Sequence, residues 1–205
     1  MKKSRDLYIL FLCINVIALF NLSLAQESIL QKFSAEEFNN KVVLSWTIKS
    51  GNTCNGIRIF RSSDSLIYSE IGDIQGVCGN LGYSVDYNFT DNQPVKNSLN
   101  YYRLDLGGIE LTHSISIEVI DVGKQNYFLK TNPIFDQSAL YFNNSTNKSA
   151  QLLIYSTNGI LVKTIVTQDE LFMIDAIDFP NGLYFFQLSL ENNELPITGK
   201  FQVNQ

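Results

Sequence analysis

The chain has 205 residues, of which 45% are hydrophobic and 12% are aromatic, and its formal net charge is −5. This length allows one or two domains, and this composition can fill ordinary hydrophobic cores, which excludes a disordered protein. An acidic chain without a run of Lys or Arg lacks the charge that neutralises phosphates, which argues against nucleic acid or an anionic membrane surface as a partner.

The first 25 residues have the features of a secretory signal peptide. Basic residues open the segment, residues 7–22 are mostly apolar, and Ser23-Leu24-Ala25 is a small-x-small cleavage pattern. We expect cleavage between Ala25 and Gln26 after engagement of the inner-membrane secretion machinery, which leaves a net charge of −7. A transmembrane anchor is the alternative, but two asparagines interrupt the apolar run.

Two cysteines, Cys54 and Cys78, stay in the chain after cleavage. An even number of cysteines in an oxidising compartment favours a disulfide, which would stabilise the fold by about 3.5 kcal/mol on the chain-entropy estimate. A metal site is the alternative, but the sequence near these residues offers no further ligands. We therefore expect neither a metal nor another cofactor.

Residues 26–122 contain about seven short runs in which apolar and polar residues alternate, as they do in strands with one buried face. Seven such strands in under a hundred residues predict an immunoglobulin-like β-sandwich, with Trp46 as its core aromatic residue. The runs cover residues 30–38, 42–49, 56–61, 69–72, 83–90, 101–106 and 113–119.

Two of these runs resemble strands of fibronectin type III-like modules. Residues 44–47, Leu-Ser-Trp-Thr, are similar to the tryptophan-bearing strand, and residues 100–104, Asn-Tyr-Tyr-Arg-Leu, are similar to the tyrosine-bearing strand. The Gly107-Gly108 turn resembles versions found in secreted proteins of the Bacteroidetes. The resemblance covers residues 28–122 and implies a domain at 26–122.

Residues 123–205 predict a second small sandwich, so the whole chain reads as all-β, with two tandem immunoglobulin-like β-sandwiches after the signal peptide. The dipeptides Asn158-Gly159 and Asn181-Gly182 each precede an apolar run, and Asn-Gly favours the type I′ hairpin turn. Further runs cover residues 138–142, 151–155, 160–166, 170–174, 183–190 and 198–203, with Tyr184, Phe186, Leu188 and Leu190 on one face.

The order of short motifs in this tail resembles the type A C-terminal sorting domain of the type IX secretion system. The similar segments are Thr-Asn-Pro at 131–133, Leu-Ile-Tyr-Ser-Thr-Asn-Gly at 153–159, Pro-Asn-Gly-Leu-Tyr-Phe at 180–185 and Gly-Lys-Phe-Gln-Val at 199–203. The family often opens with Pro-Asn-Pro, where this chain has Thr131. The motif positions that carry over are Asn132, Pro133, Gly159, Gly182, Tyr184 and Lys200.

This resemblance implies a partner and a destination. The family's tail directs a periplasmic protein through the type IX outer-membrane translocon, and a sortase-like peptidase usually removes it as the cargo is anchored to the cell surface or released. The resemblance thus predicts a secreted cargo, and we interpret residues 26–122 as a binding or adhesion module for an extracellular protein or glycan ligand. The alternative is a carbohydrate-binding or spacer module associated with an extracellular hydrolase.

The residue types that catalysis needs are scarce, so we expect no enzyme. The one histidine, His113, begins an alternating run beside a Gly-rich turn, where an exposed hairpin position is more common than a general base. Neighbouring acids such as Glu36 and Glu37 point to opposite faces of a strand, unlike the facing carboxylates of glycosidases.

Two lesser signals concern the surface of the first domain. Asp64-Ser65-Leu66 resembles the O-glycosylation sequence of Bacteroidetes, which implies Ser65 as a modified residue. Phe60 and Tyr101 lie on the faces opposite to their strands' apolar sets, where they predict either a ligand-binding patch or a packing contact.

Overall fold

The computed structural model describes residues 27–191 and 195–205, and this part of the chain is all-β. It contains fourteen strands, two short 3₁₀ helices and no α-helix within the described ranges. The predicted signal peptide and its cleavage site, Ala25 and Gln26, lie outside the described residues and stay a prediction.

The first seven strands form an antiparallel β-sandwich, as predicted. A three-stranded sheet has the order β1-β2-β5, and a four-stranded sheet has the order β4-β3-β6-β7. The strands are β1 (Leu30–Phe38), β2 (Lys41–Ile48), β3 (Asn52–Ser62), β4 (Ser69–Asn80), β5 (Val85–Asp91), β6 (Ser98–Asp105) and β7 (Ile115–Val119).

The core of this sandwich is built around Trp46, as expected. Its side chain is 1% exposed and stacks on Tyr87 with ring centroids 5.9 Å apart. The same sandwich also contains a buried polar link, in which the Tyr102 hydroxyl donates to the Asp91 carboxylate at 2.9 Å and Arg61 donates to the same oxygen at 2.8 Å. Hydrogen bonding and charge pairing offset the cost of burying this carboxylate.

The last seven strands form a second sandwich, which confirms the predicted tandem arrangement. One sheet has the order β12-β9-β8, and the other, which we call the tail sheet, has the order β11-β10-β13-β14. The strands are β8 (Tyr127–Leu129), β9 (Gln137–Phe142), β10 (Ala150–Ser156), β11 (Leu161–Thr167), β12 (Leu171–Asp175), β13 (Gly182–Leu190) and β14 (Ile197–Val203).

The second sandwich has its own core, separate from that of the first. Tyr184, Phe186 and Leu188 point into it from β13, as the alternation predicted. At the open edge of the tail sheet, Lys163 of β11 turns inward: its ammonium group pairs with Asp178 and lies 5.9 Å from the ring centroid of the buried Phe179.

A short connection joins the two sandwiches. It consists of the 3₁₀ helix Gly123–Gln125, followed by the left-handed residue Asn126. Lys130 donates to the Glu118 carboxylate across the connection at 2.9 Å, and this hydrogen bond raises the pKa of the Lys130 side chain.

The predicted type I′ turns are wrong. Gly159 has a left-handed φ of 75° but Asn158 does not, and the Gly159 N–H donates to the carbonyl of Ser156 at 3.0 Å. These contacts fit a type I turn closed by a left-handed glycine, the usual three-residue hairpin loop, and the register shifts beside it. Asn181-Gly182 closes no hairpin at all, because β12 and β13 lie in different sheets.

Two extended segments differ from the predicted runs. No run is predicted at β8, and the run predicted at residues 69–72 is only the beginning of β4, which continues to Asn80. Cys54 and Cys78 therefore lie directly opposite each other on β3 and β4 and form a disulfide within one sheet.

Candidate functional site

The segment that contains Asn132 and Pro133 docks against the last strand of the chain. The Asn132 side-chain carbonyl accepts the Gln202 N–H at 2.9 Å, and the next residues continue the contact, since the Ile134 N–H donates to the Gln202 carbonyl at 2.8 Å. Ile134 also forms a parallel bridge with Val203. The peptide bond before Pro133 is cis.

Asn181 holds Gln205, which lies two residues after the end of β14. Its side-chain carbonyl accepts the Gln205 N–H at 2.7 Å, and the Gln205 side chain in turn donates to the carbonyls of Ala176 and Phe179. Two separate motif segments, around Asn132 and around Asn181, thus converge on residues 202–205.

Gly182 needs neither a left-handed conformation nor extra space. It begins β13, pairs with Val203, and an added Cβ would lie no closer than 3.9 Å to its nearest neighbour, the Tyr184 ring. Gly199 on the paired strand β14 is the opposite case. A Cβ there would overlap the Phe186 ring and the Tyr127 hydroxyl, so packing favours glycine at this position. The sequence interpretation did not single out Gly199.

Tyr184 is the aromatic centre of this region. Its ring is 6% exposed, stacks on Phe201 at 5.6 Å and meets Phe179 edge-on at 5.1 Å. The hydroxyl donates to the Pro180 carbonyl at 2.7 Å, so the polar end of the side chain is satisfied. Tyr184 therefore packs in the core and does not face solvent.

Lys200 lies on the outward side of the tail sheet, opposite Phe185 in the β13–β14 register. Its side chain is exposed, and no carboxylate of the described residues lies within 4 Å of its ammonium nitrogen. Of the six predicted motif residues, the structure places Asn132, Pro133, Gly182 and Tyr184 around β13 and the end of β14. Gly159 lies in the β10–β11 turn and Lys200 on the outer face.

Comparison with known proteins identifies the tail. Residues 131–204 match the family described as secretion system C-terminal sorting domain. These residues are a type IX sorting domain. The protein is therefore a type IX secretion cargo, destined for the cell surface or the extracellular space.

Solved structures with detectable similarity are distant. The sensor domain of the anti-sigma factor RsgI4 of Pseudobacteroides cellulosolvens is 11% identical, with 46% of this chain and 98% of that chain covered and a TM-score of 0.33. A two-domain fibronectin type III segment of chicken tenascin is also 11% identical, with 84% and 98% covered and a TM-score of 0.32. No curated protein matches the sequence.

The sandwich ahead of the sorting domain is fibronectin type III-like in its three-plus-four strand arrangement. Its predicted glycosylation residue, Ser65, is exposed and has a left-handed φ of 63°. The neighbouring Asp64 carboxylate accepts N–H groups from Ile67 and Leu66 at 2.9 and 2.8 Å, and these bonds, with that from Ser62, lower the pKa of Asp64. The geometry presents Ser65 on a fixed turn, and its modification stays a prediction.

For Phe60, one of the two residues predicted to form either a binding patch or a packing contact, the structure shows contacts within the protein. The ring centroid of Phe60 lies 5.7 Å from the Arg58 guanidinium and 5.8 Å from that of Arg103, which itself lies 3.8 Å from the Tyr68 centroid. These cation–π contacts engage Phe60 and Tyr68 within the protein. Tyr101 takes part in none of them.

His113 lies at the far end of the first sandwich, beside a hollow of about 360 Å³. Half of the lining residues are apolar, with Leu30, Phe33 and Ile115 among them, and the other half are polar or charged. The nearby Glu110 carboxylate is engaged, since it accepts the Ser28 hydroxyl at 2.7 Å and the Ile29 N–H at 2.9 Å. Among the described residues, no side chain hydrogen-bonds to His113, so no nucleophile and base are paired there.

The described ranges contain no group of three or more His, Cys, Asp or Glu side chains placed to hold a metal ion. They also contain no helix that is long and apolar enough to cross a membrane.

Proposed function

We propose that residues 26–122 form a non-catalytic interaction module that the sorting domain, at 123–205, carries across the outer membrane. The observation that carries this proposal is the family match at residues 131–204, because it assigns the tail to export and leaves the first sandwich as the cargo. The module acts after export by binding an extracellular protein or glycan.

Support for a binding role comes from the distal end of the first sandwich, which is the end away from the connection to the second sandwich. Register places three connections there, at residues 49–51, 81–84 and 106–114. This distal end exposes large apolar side chains: Leu81 is 74% exposed, Tyr83 64%, Leu111 57% and Ile109 45%. Apolar side chains clustered on a soluble surface are typical of interaction sites.

The position of the Cys54–Cys78 disulfide also supports a binding role for the distal end. Cys54 lies two residues into β3 and Cys78 lies two residues before the end of β4, next to the 81–84 connection. A covalent link at this point limits the motion of the loops that it adjoins, and a rigid binding surface loses less entropy when it binds.

For the sorting domain we propose that the outer-membrane translocon recognises the folded domain and that a sortase-like peptidase then removes it. The motif contacts support the first step. Asn132 and Asn181 fix residues 202–205, so the end of the described chain is presented in one conformation.

Export is tested with the full chain in hosts with and without a functional type IX translocon. We expect the protein in the extracellular fraction of the first host only, and a variant lacking residues 123–205 in the periplasm of both. Export that persists without the translocon would contradict the proposal.

Binding is tested with immobilised glycans and extracellular proteins. We expect Ile109→Ser combined with Leu111→Ser to weaken binding about tenfold or more, since buried anchors dominate interfaces. The control is Phe38→Ser, which changes an even more exposed apolar residue, 67% exposed, at the opposite end of the sandwich. Binding that survives in the double variant, or hydrolysis of any glycan by the protein, would overturn the assignment.

A further inference from the structure

The outer face of the tail sheet does not follow the usual pattern of a sandwich. Antiparallel sheets commonly bury one apolar face and present polar residues on the other. In the tail sheet the outward positions of three strands carry apolar residues, with Val166 60%, Phe185 44%, Val162 41% and Leu183 40% exposed. Leu153 and Tyr155 lie between them on β10.

The first sandwich of the same chain supplies the comparison. The outward positions of its three-stranded sheet are mostly polar, and its inward positions are apolar. The outward set includes Ser45, Thr47, Asp86, Asn88 and Thr90. The apolar face is therefore a property of the tail sheet and not of the whole chain.

A hollow of about 480 Å³ opens beside this face. Its lining combines residues of the outer face with residues of the inner side, which are Tyr155, Phe185 and Lys200 on the outer face and Tyr127, Phe186 and Gly199 on the inner side. Hollows edged by aromatic side chains commonly receive the anchoring side chain of a partner protein.

The charge on the outer face of the tail sheet indicates which kind of partner surface would be complementary to it. Residues 127–205 contain four lysines and seven acidic residues, yet Lys200 is the one charged side chain on the outward positions of the four described strands of this sheet. No described carboxylate pairs with it. An apolar surface with a carboxylate placed opposite Lys200 would be complementary in both respects.

We propose that the outer face of the tail sheet, centred on Phe185, Tyr155 and Lys200, is the docking surface for a protein component of the outer-membrane export machinery. That component presents an apolar patch with an acidic side chain. The inference rests on the proposed recognition of the folded sorting domain by the translocon and assigns the surface that does it.

The first test compares export of full-length variants in a host with a functional type IX translocon. We expect Phe185→Ser combined with Leu153→Ser to lower export about tenfold, because anchoring residues carry most of the binding energy. The control is Met173→Ser, which removes an apolar side chain from the opposite sheet of the same sandwich, with an exposure of 46% against 44% for Phe185. Thermal unfolding of the purified variants checks that each still folds.

The charge is tested separately. Lys200→Glu should lower export about tenfold, Lys200→Arg should retain it, and Lys148→Glu, at an exposed lysine off the sheet, should leave it unchanged. Equal export by folded Phe185, Lys200 and control variants would overturn the docking surface alone. Export of the unaltered protein from a host without the translocon would instead refute the proposed function.

The partner is identified by photocrosslinking from p-benzoylphenylalanine introduced at position 185, with position 173 as control. We expect an adduct with a type IX outer-membrane protein from position 185 and none from position 173. An adduct with a second copy of this chain, an adduct with lipid, or no adduct would overturn the proposal.

Discussion

Gly182 and Gly199 lie on neighbouring strands, yet a methyl group added at each meets different surroundings. At Gly199 it overlaps the Phe186 ring and the Tyr127 hydroxyl, whereas at Gly182 the nearest atom is in ordinary contact. Packing thus explains why residue 199 is glycine, whereas it does not require glycine at position 182.

We expect Gly199→Ala to lower the free energy of unfolding by about 1–3 kcal/mol, the usual cost of overpacking a core. Gly182→Ala should change it by less than about 0.5 kcal/mol. Urea unfolding of both purified variants measures the difference. Equal losses would show that the two glycines serve the same structural purpose.

Export of the Gly182→Ala variant adds a second measurement. If the variant is as stable as the unaltered protein but is exported poorly, Gly182 serves recognition. Normal export together with normal stability would remove Gly182 from the proposed motif.

The ionisation of the buried Tyr102 hydroxyl should make the stability of the protein depend on pH in the alkaline range. Burial, and then the hydrogen bond to Asp91, raise the pKa of its hydroxyl. The folded protein therefore keeps this proton above pH 10, where an unfolded tyrosine releases it. Stability from this group is complete below about pH 10 and falls as pH rises further, by at most about 1.4 kcal/mol per pH unit.

Tyr102→Phe separates this effect from that of the other tyrosines. We expect the variant to lose about 1.5–3 kcal/mol at neutral pH, because the buried Asp91 loses a donor. It should then show a shallower decline above pH 10 in urea unfolding. An unchanged alkaline slope would contradict the assignment to Tyr102.

At the scale of single elements, the Cys54–Cys78 bridge joins two strands that already pair. The two Cα atoms are 5.0 Å apart, a normal separation for a disulfide. The link therefore closes a hairpin whose strands are also held by backbone hydrogen bonds.

Replacing both cysteines by alanine should lower the free energy of unfolding by about 3.5 kcal/mol on the chain-entropy estimate. Chemical unfolding with and without a reductant measures the loss. The reduced unaltered protein should match the double variant. Insensitivity to the reductant would show that the bridge does not form.

Alternation of apolar and polar residues was sufficient to predict most strands. It identified β2 and β5 within two residues at each end, and the inward face of β13, because one side of each strand is buried. It failed at Asn181-Gly182, since the chain there crosses from one sheet to the other. A dipeptide does not indicate which sheet the next strand joins.

The outer face of the tail sheet shows a second limit of sequence reasoning. Gln187 and Ser189 of β13 are typical of a solvated face, but Phe185 and Leu183 lie on the same side. Whether such residues form one patch depends on the strands beside them, and strand order is set by long-range pairing. The motif contacts of Asn132 and Asn181 with residues 202–205 depend on the same pairing.

At the scale of the whole molecule, two separate cores are joined by one exposed turn. Residues 123–126 are exposed, while the flanking strands are paired. We propose this turn as the boundary between the domains at 26–122 and 123–205.

Trypsin under native conditions should cut first after Lys124 and release two folded fragments, which mass spectrometry would identify. Exposed turns outside strands are preferred sites of nicking. Lys124→Gln should abolish this first cut and leave the chain intact for longer. A first cut within either sandwich would contradict the boundary.

Lys163 has a consequence for how the exported protein avoids unwanted association. It is an inward charge on β11, the unpaired edge of the tail sheet, and inward charges on edge strands hinder the addition of a further strand. A second chain that added a strand there would have to accommodate the Lys163–Asp178 pair at the new junction. Neighbouring molecules can thus expose an apolar sheet face before export without pairing their β11 edges into one continuous intermolecular sheet.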